Sequence, residues 1–540
     1  MLTKVKGSVW DSADNGLAVS VKDFGAVGDG SDETTKIQAA IDANEGKTIL
    51  FDGAFTVTSL TVNGDNTHLK FTNNSSLSYA TETNKLITLA GNKNKVSGLT
   101  VNAPSIFDGT NAEATYSVIW VTGDDAVIEN CFFNNVPRVG IMFYDCVRGA
   151  VQNCTINGNY PSASFTGTET GHAGIVINPP NIDNEGVFRV TDNFINSCVQ
   201  GVLGAAYGTT SENIGLLISG NIFEKCWNHG TYIANKFHGI VISGNNYNEC
   251  QYPIAATGEY HSITGNVLQT QTTGNDWDLT GISLRDPVGC IVQGNTVYGD
   301  GGISQVSIGL IQSLTTTIKD NIISGNVIKI NGGSVKGIAV GTLTTTECSN
   351  NIISNNVLEC EVGSGAGMIL VTAGAGTATN NKIHNNNLTQ KSRSYGVQVI
   401  NGVNCTIGNN TITLEYDAAI AETLAGVVLS SCEDCYVHDN KIKVDAAWGA
   451  NVSYRGVWEL TTATNNRSSN NIMSFDLTKL TSGTPFVTIN GGGIVINDSG
   501  LGAPNLNASP GSVWRRTDGG PLTSFYVKES GTDTTGWVGK

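Results

Sequence analysis

IISGNVI (residues 322–328) and IISNNVL (residues 352–358) are two copies, thirty residues apart, of one short pattern. IVISGNNY (240–247), SITGNVL (262–268), IVQGNTV (291–297) and IHNNNL (383–388) repeat it. Aligning the copies on their asparagine marks Asn130, Asn153, Asn193, Asn221, Asn245, Asn266, Asn295, Asn326, Asn356, Asn386, Asn410, Asn440 and Asn470, at steps of 21 to 40 residues. A second landmark keeps step, a glycine opening a short apolar run at Gly174, Gly230, Gly281, Gly337, Gly396 and Gly426. A recurring period of this length is the signature of a solenoid. The runs are short, alternate every second position and are rich in Val and Ile, which is strand spacing rather than helix spacing. Three strands and three turns per copy make one coil of a right-handed parallel β-helix, an all-β fold. Strand A is the Gly-led run, strand B the run before the asparagine, strand C the run after it. The tight B-to-C corner carries Gly-Asn because a sharp turn favours residues that tolerate φ > 0. Thirteen coils at about 4.8 Å each predict a rod roughly 60 Å long.

The 540 residues alone would suggest several domains, but one repeat spans two-thirds of the chain. The expected boundaries are an arm over 1–20, a capping segment with irregular first coils over 21–115, the β-helix over 116–472, exit strands over 473–504 and a small β module over 505–540. A net charge of -16 argues against binding nucleic acid or anionic membrane surfaces, and favours a neutral glycan over a strongly anionic one. The first residues lack the apolar core of a signal peptide, and no stretch reaches membrane-spanning length. Cysteines recur at fixed phases of the coil: Cys198, Cys226, Cys250 and Cys360 after strand C, and Cys290, Cys405 and Cys435 before strand B. Such positions predict reduced, buried stacks rather than disulfides. The Cys432–Cys435 pair has no partner pair at zinc spacing, so neither metal nor cofactor is expected.

Before the repeats lies VKDFGAVGDGSDETTKIQAAIDA, residues 21–43. A Gly-rich turn leads to Ser31 or Asp32 as helix N-cap, then to a helix with Ile37, Ala40 and Ile41 on one face. An amphipathic helix here covers the open end of the solenoid. No Lys-Ser/Thr follows the glycines, which argues against a phosphate loop. This stretch resembles the opening motif of the pectate-lyase-like β-helix proteins, and its VKDFGAVGDG form is similar to the start of the enzymatic domain of bacteriophage tailspikes. The resemblance implies a homotrimeric, virion-attached protein that recognises and usually cleaves a bacterial surface polysaccharide, acting outside the host cell. The motif marks a cap, so it carries over no catalytic residue. The short arm before it implies an adaptor to the virion or baseplate rather than a large head domain. At the far end, Arg467 stands where a core Ile or Val is expected, predicting the end of stacking. The tail reads as a strand–turn–strand unit with Asp518-Gly519-Gly520 as its hairpin turn, and it resembles C-terminal modules of phage tail and fibre proteins.

A β-helix makes sites by changing its loops, not its core. Long connectors before Gly174 and Gly281 bracket three short ones, and so predict a valley. Its floor holds Trp227, His229, Tyr232 and Tyr252; its walls hold Glu169 and His172 on one side, Asp276, Trp277 and Asp278 on the other. The opposite flank of strand A carries Lys236, His238, Glu259, Tyr260, Arg285 and Asp286. Aromatic rings beside carboxylates suit a sugar, whose faces stack and whose hydroxyls bond to acids. Glycoside hydrolysis needs two carboxyl groups about 5–5.5 Å or about 6.5–9.5 Å apart, distances that neighbouring coils supply. Asp276, Asp278, Glu259 and Asp286 are the expected catalytic acids, with Trp227, His229, Tyr232, Tyr252, Trp277 and Arg285 binding substrate. Each acid also reads as a solvated loop or turn residue. Glu224 with Glu249, or Glu359 with Glu361, form a rival set; His261, at a core phase, reads as a satisfied buried histidine. A lyase would instead use Lys236, His238, Tyr260 or Arg285, and a non-catalytic adhesin would use the same valley without turnover. Outward positions on strand B (Leu217, Val241, Ile291, Ile322, Ile352) and strand C (Ile222, Val267, Val327, Val357) form apolar columns predicted to face a three-fold axis. Strand A carries Ile311, Ile369 and Val428, read as outward too.

Overall fold

The computed structural model describes residue 18 onward, apart from 73, 81–84, 104–116, 137, 159–171, 181–185, 205–213, 235–236, 271–279, 312–316, 343, 361–363, 375, 391–392, 416–422, 445–452, 461–464, 476–493, 501–502, 505–509, 517–524 and 532–534. The 1–17 arm and the Asp518-Gly519-Gly520 turn therefore lie outside the described residues. The chain divides into two compact units, Met1–Cys250 and Gln251–Lys540. Each is a parallel β-helix. In the first unit, strand B runs Thr48–Phe51, His68–Phe71, Lys95–Ser97, Ala126–Glu129, Gly149–Gln152, Gly186–Thr191, Ile214–Ser219 and Val241–Ser243, each in parallel register with the next. Regular stacking thus begins at Thr48. In the second unit the same stack runs from Ser262–Thr264 to Arg467–Ser469.

Each coil turns its B-to-C corner with two residues of different duty. The first is left-handed: Gly294, Gly325, Asn355, Asn385, Asn409 and Asp439 have φ between 53° and 65°. The second is an asparagine turned into the coil, where water cannot reach the corner backbone. Asn356 Oδ1 accepts from the Asn326 backbone N–H at 3.0 Å and from its Nδ2 at 2.9 Å. Asn356 Nδ2 in turn donates to the Ile323 carbonyl and to Asn386 Oδ1, both at 3.0 Å. In the second unit this ladder climbs from Asn266 through Asn295, Asn326, Asn356, Asn386, Asn410 and Asn440 to Asn471. In the first it links Asn193, Asn221 and Asn245.

Three landmark asparagines of the alignment are one residue off. Asn130, Asn153 and Asn470 are exposed left-handed residues, with φ of 54°, 54° and 52°. The inward positions belong to Cys131, Cys154 and Asn471; the Cys154 N–H donates to Asn193 Oδ1. Asparagine suits both corner positions, so the letter alone does not separate them. A parallel ladder lines the A-to-B corner of the second unit, where Cys290, Asn321, Asn351, Asn381, Cys405, Cys435 and Asn466 occupy one column. Among the described residues, eleven cysteines are free and buried. Burial pushes the Cys198 and Cys290 thiols up to about 12, leaving them uncharged and inert.

The helix spans Thr34–Asp42 and buries Ile37, Ala40 and Ile41 as expected. Its N-cap is Glu33, not Ser31 or Asp32: Ser31 pairs with Asp29, and Asp32 receives the Thr34 amide from outside the cap position. Glu33 is 1% exposed, and its carboxylate accepts from the Val27 and Gly28 amides. The turn around it is tight, since a Cβ on Gly28 would lie 2.8 Å from the Ala54 carbonyl oxygen. Glu33→Ala takes the acceptor from the part-buried Val27 and Gly28 N–H groups, so a loss of about 1–2 kcal/mol is expected. Hydrogen exchange should accelerate at Val27 and Gly28 first; unchanged protection there would show that the carboxylate does not hold the turn.

Among the described residues the strand-B stack ends at Arg467–Ser469, as Arg467 predicted, and only strand C continues. Arg467 pairs with the outward Tyr436 and is exposed, while Ser468 takes the inward place beside Val437. Asn471–Phe475 then pairs in parallel with Ile494–Gly500, which pairs with Val513–Arg516. The tail adds Phe525–Lys528 and Trp537–Gly539 in antiparallel order, one strand more than the sequence predicted. Ile369 is also reassigned: it sits in register with Ile338 and Val397 inside the coil and is fully buried, with Met368 in the place that Gly337 and Gly396 hold in neighbouring coils. Val428 is likewise fully buried. Of the apolar columns of strands B and C, Ile222, Val267, Ile291, Ile322 and Val357 are exposed, whereas Leu217, Val241, Ile352 and Val327 are half-buried. Ile291, Ile322 and Ile352 are in register, as are Val327 and Val357; Ile322 is 36% exposed, Val357 41% and Val267 43%.

Candidate functional site

Asp276, Trp277, Asp278, Glu169, Lys236 and Glu361 lie outside the described residues. The remaining expected site residues fall into two groups, one in each unit.

In the second unit, strand A of one coil is Tyr252–Glu259 and of the next Thr280–Val288. They run in register from Ile254 opposite Ile282 to Thr257 opposite Arg285, then slip so that Glu259 faces Val288. Asp286 lies in this slip, with φ 51° and only 6% exposed. The slip brings Glu259, Arg285 and Asp286 to one corner of two neighbouring coils, about 4.8 Å apart along the stack. Tyr260 occupies the left-handed corner position, with φ 58°, where other coils place Gly289, Asp320, Asn350 or Asn380. A bulky side chain there is strained, and such strain gathers at functional sites. Its ring lies over Gly289 one coil on, where a Cβ would come within 2.8 Å of it. Tyr260 is 57% exposed. His261 behind it is buried as predicted, its Nε2 3.1 Å from the Thr257 carbonyl oxygen. Among the described residues, neither the Glu259 carboxylate nor the Arg285 guanidinium is held in an ion pair. Two charged groups of opposite sign are thus presented without being used to hold the fold. Tyr252 stands at the other end of its strand, about 23 Å from Glu259 for eight extended residues, so the two cannot act on one bond.

In the first unit, strand A presents a partly apolar outer face. Trp120, Met142, Val176, Leu203 and Tyr232 stand in register on successive coils, and Tyr232 packs against the cluster they form. His229 tilts against Tyr232 with ring centroids 4.7 Å apart. Lys85 Nζ sits 3.7 Å from the Trp120 ring centroid. Gln200, directly below His229, is 3% exposed, and its Oε1 has no hydrogen-bond partner among the described residues; nor does the Trp227 indole N–H. A buried acceptor and a buried donor left open beside aromatic rings match a sugar hydroxyl, which can serve both. The outer face of strand A supplies no motif, so sequence reading missed Gln200; its single signal is a polar residue at the head of an apolar strand. His172 is buried and His238 half-buried. The rival acids are otherwise engaged or apart: Glu224 lies 3.7 Å from Lys225, Glu359 lies 3.5 Å from Lys329, and Glu249 is an exposed left-handed corner residue. Among the described residues no group of His, Cys, Asp and Glu is arranged to hold a metal ion, and no helix is long and apolar enough to cross a membrane.

No protein-family model and no curated protein matches the chain. Solved structures do. The Streptococcus pneumoniae surface adhesin PfbA is 15% identical, with a TM-score of 0.38, over 84% of this chain and 100% of that one. Gene product 12 of bacteriophage phi29 is 12% identical, with a TM-score of 0.44, over 85% and 73%. The tailspike of E. coli bacteriophage HK620, solved with a pentasaccharide, is 12% identical, with a TM-score of 0.38, over 84% and 80%. These likenesses are distant ones of fold; the β-helix itself rests on the strand register above.

Proposed function

We propose that this chain is a phage tailspike that binds a bacterial surface polysaccharide, a capsule or O-antigen, and depolymerises it by endo-acting hydrolysis. The observation that carries the proposal is the register slip that sets Glu259, Arg285 and Asp286 on neighbouring coils, next to the left-handed Tyr260. One carboxyl group protonates the glycosidic oxygen; the other attacks the anomeric carbon or activates water there. Arg285 donates hydrogen bonds to sugar oxygens. Asp276 and Asp278 belong to the same proposal as acids on the preceding loop, and Trp277 as a stacking residue. Trp227, His229 and Tyr232 bind sugar on the first unit, and Tyr252 on the second. The opening motif of residues 21–43 supports the tailspike reading, with attachment to the virion through the N-terminal arm and action outside the host cell. Incubation with host polysaccharide should release short oligosaccharides with saturated ends; saturable binding with no product would leave an adhesin instead. The exposed Tyr260 phenol favours a second reading, β-elimination on a uronate, which ultraviolet-absorbing unsaturated ends would reveal.

The proposal includes a homotrimer, packed through the exposed columns of strands B and C. Soluble chains rarely leave an apolar strip of this extent open to water. Light scattering should give three times the 56.6 kDa chain mass. Replacing Ile322 and Ile352 together by Asp should return a monomer; an intact trimer would place the interface on another face.

A further inference from the structure

The outer face of strand A in the second unit carries a cluster that the proposed catalytic corner does not use. Arg393–Ile400, Thr423–Ser430 and Ser453–Glu459 are strand A of three coils in parallel register. Tyr395 stands opposite Ala425 and Ala425 opposite Arg455; Gln398 stands opposite Val428 and Val428 opposite Trp458. Ala425 and Val428 are fully buried. Above them the Arg455 guanidinium carbon lies 4.2 Å from the Trp458 ring centroid, and Tyr395 meets Trp458 edge-on at 6.0 Å and 81°.

A guanidinium stacked on an indole leaves its in-plane N–H groups for a partner. Arg455 has none: its Nε is buried and makes no hydrogen bond, and no carboxylate reaches it among the described residues. Burial accordingly pulls its affinity for the proton below the ordinary arginine range. The neighbouring Glu459 is also held above the usual carboxylate range by burial. A partly desolvated cation without a counter-ion is costly, and a planar anion presented edge-on relieves that cost through paired N–H···O bonds. The rings beside it offer the apolar faces against which sugar C–H bonds pack.

We infer that Arg455, Trp458 and Tyr395 form a binding site for a carboxylate-bearing sugar residue of a polysaccharide, distinct from the Glu259–Asp286 corner. The inference rests on the reading of this chain as a glycan-binding protein, and it adds the substrate class: a repeat unit with at least one acidic sugar. Charge on the whole chain disfavours a densely anionic polymer, whereas one carboxylate per repeat needs only a local cation.

The test uses four trisaccharides ending in glucuronate, galacturonate, mannuronate or N-acetylneuraminate, each alongside its carboxyl-reduced alcohol, titrated into the full chain with tryptophan fluorescence as readout. At least one acid should bind, at least about tenfold tighter than its alcohol. Arg455→Gln should abolish that difference, and Arg455→Lys should restore part of it. Wild-type melting behaviour in both variants would show that the fold is intact. Binding of no acid, equal binding of acid and alcohol, or an acid preference that survives Arg455→Gln overturns the site. Cleavage of host polysaccharide and its loss on Glu259→Gln are read separately, so failure here leaves the hydrolase proposal standing, and failure there leaves this one.

Discussion

Glu259→Gln and Asp286→Asn should each slow polysaccharide cleavage by at least about 100-fold, the scale of a lost general acid or base. Both replacements keep the shape of the side chain. Asparagine also tolerates the left-handed backbone at residue 286, so neither should move the unfolding transition. Glycan affinity should stay within a few-fold, because the acids act on the bond rather than on the bulk of the chain. A variant that keeps activity within tenfold of wild type removes its residue from the catalytic pair, and attention then passes to Asp276 and Asp278. Tyr260→Phe separates the two chemistries. Hydrolysis by carboxylates survives it, whereas elimination with the phenol as base does not.

Asn356→Leu should be the most damaging single change in the second unit. It removes an acceptor for the Asn326 backbone N–H and side-chain amide, and a donor to the Ile323 carbonyl and Asn386 Oδ1. All of these groups are buried, and each orphaned one costs about 1–3 kcal/mol, so a total loss of about 3–6 kcal/mol is expected. Long stacks unfold irreversibly, which makes the unfolding rate in guanidinium the suitable measurement. The rate should rise by at least about a hundredfold. Asn387→Ser, next to the following rung Asn386 but exposed, is the control and should do almost nothing. Similar rates for the two variants would mean that the ladder is incidental to stability.

Most of the fold was legible because the corners are chemically narrow. A left-handed residue followed by an inward amide leaves Gly-Asn, Asn-Asn or Asp-Asn in the sequence, and apolar alternation does the rest. The A-to-B ladder was harder to see, since thiols and amides share its column; Asp320-Asn321, Asn350-Asn351, Asn404-Cys405 and Asp434-Cys435 carry the same two-residue signal. The candidate site was only partly legible. Connector lengths pointed to these coils, and the strand register sets Glu259, Arg285 and Asp286 on neighbouring ones. The slip that brings them together is a register effect, which no single-sequence pattern encodes. Tyr260 breaks the corner rule rather than following it, and a tyrosine carries no mark of positive φ. Arg455 and Gln200 went unremarked for a related reason: their meaning depends on having no partner, and partners are set by coils above and below.

The asparagine ladder also acts as a phase reset. Its rungs are 29, 31, 30, 30, 24, 30 and 31 residues apart in the second unit, yet every side-chain rung measures 2.8–3.1 Å. A coil can therefore gain or lose six residues between landmarks without passing the error upward. Insertions accumulate where they do no harm to alignment, in the connectors, and each coil begins again in step. Such a chain can exchange whole loops while every distant side chain keeps its azimuth. Recognition of a new glycan then becomes a local edit rather than a refolding problem.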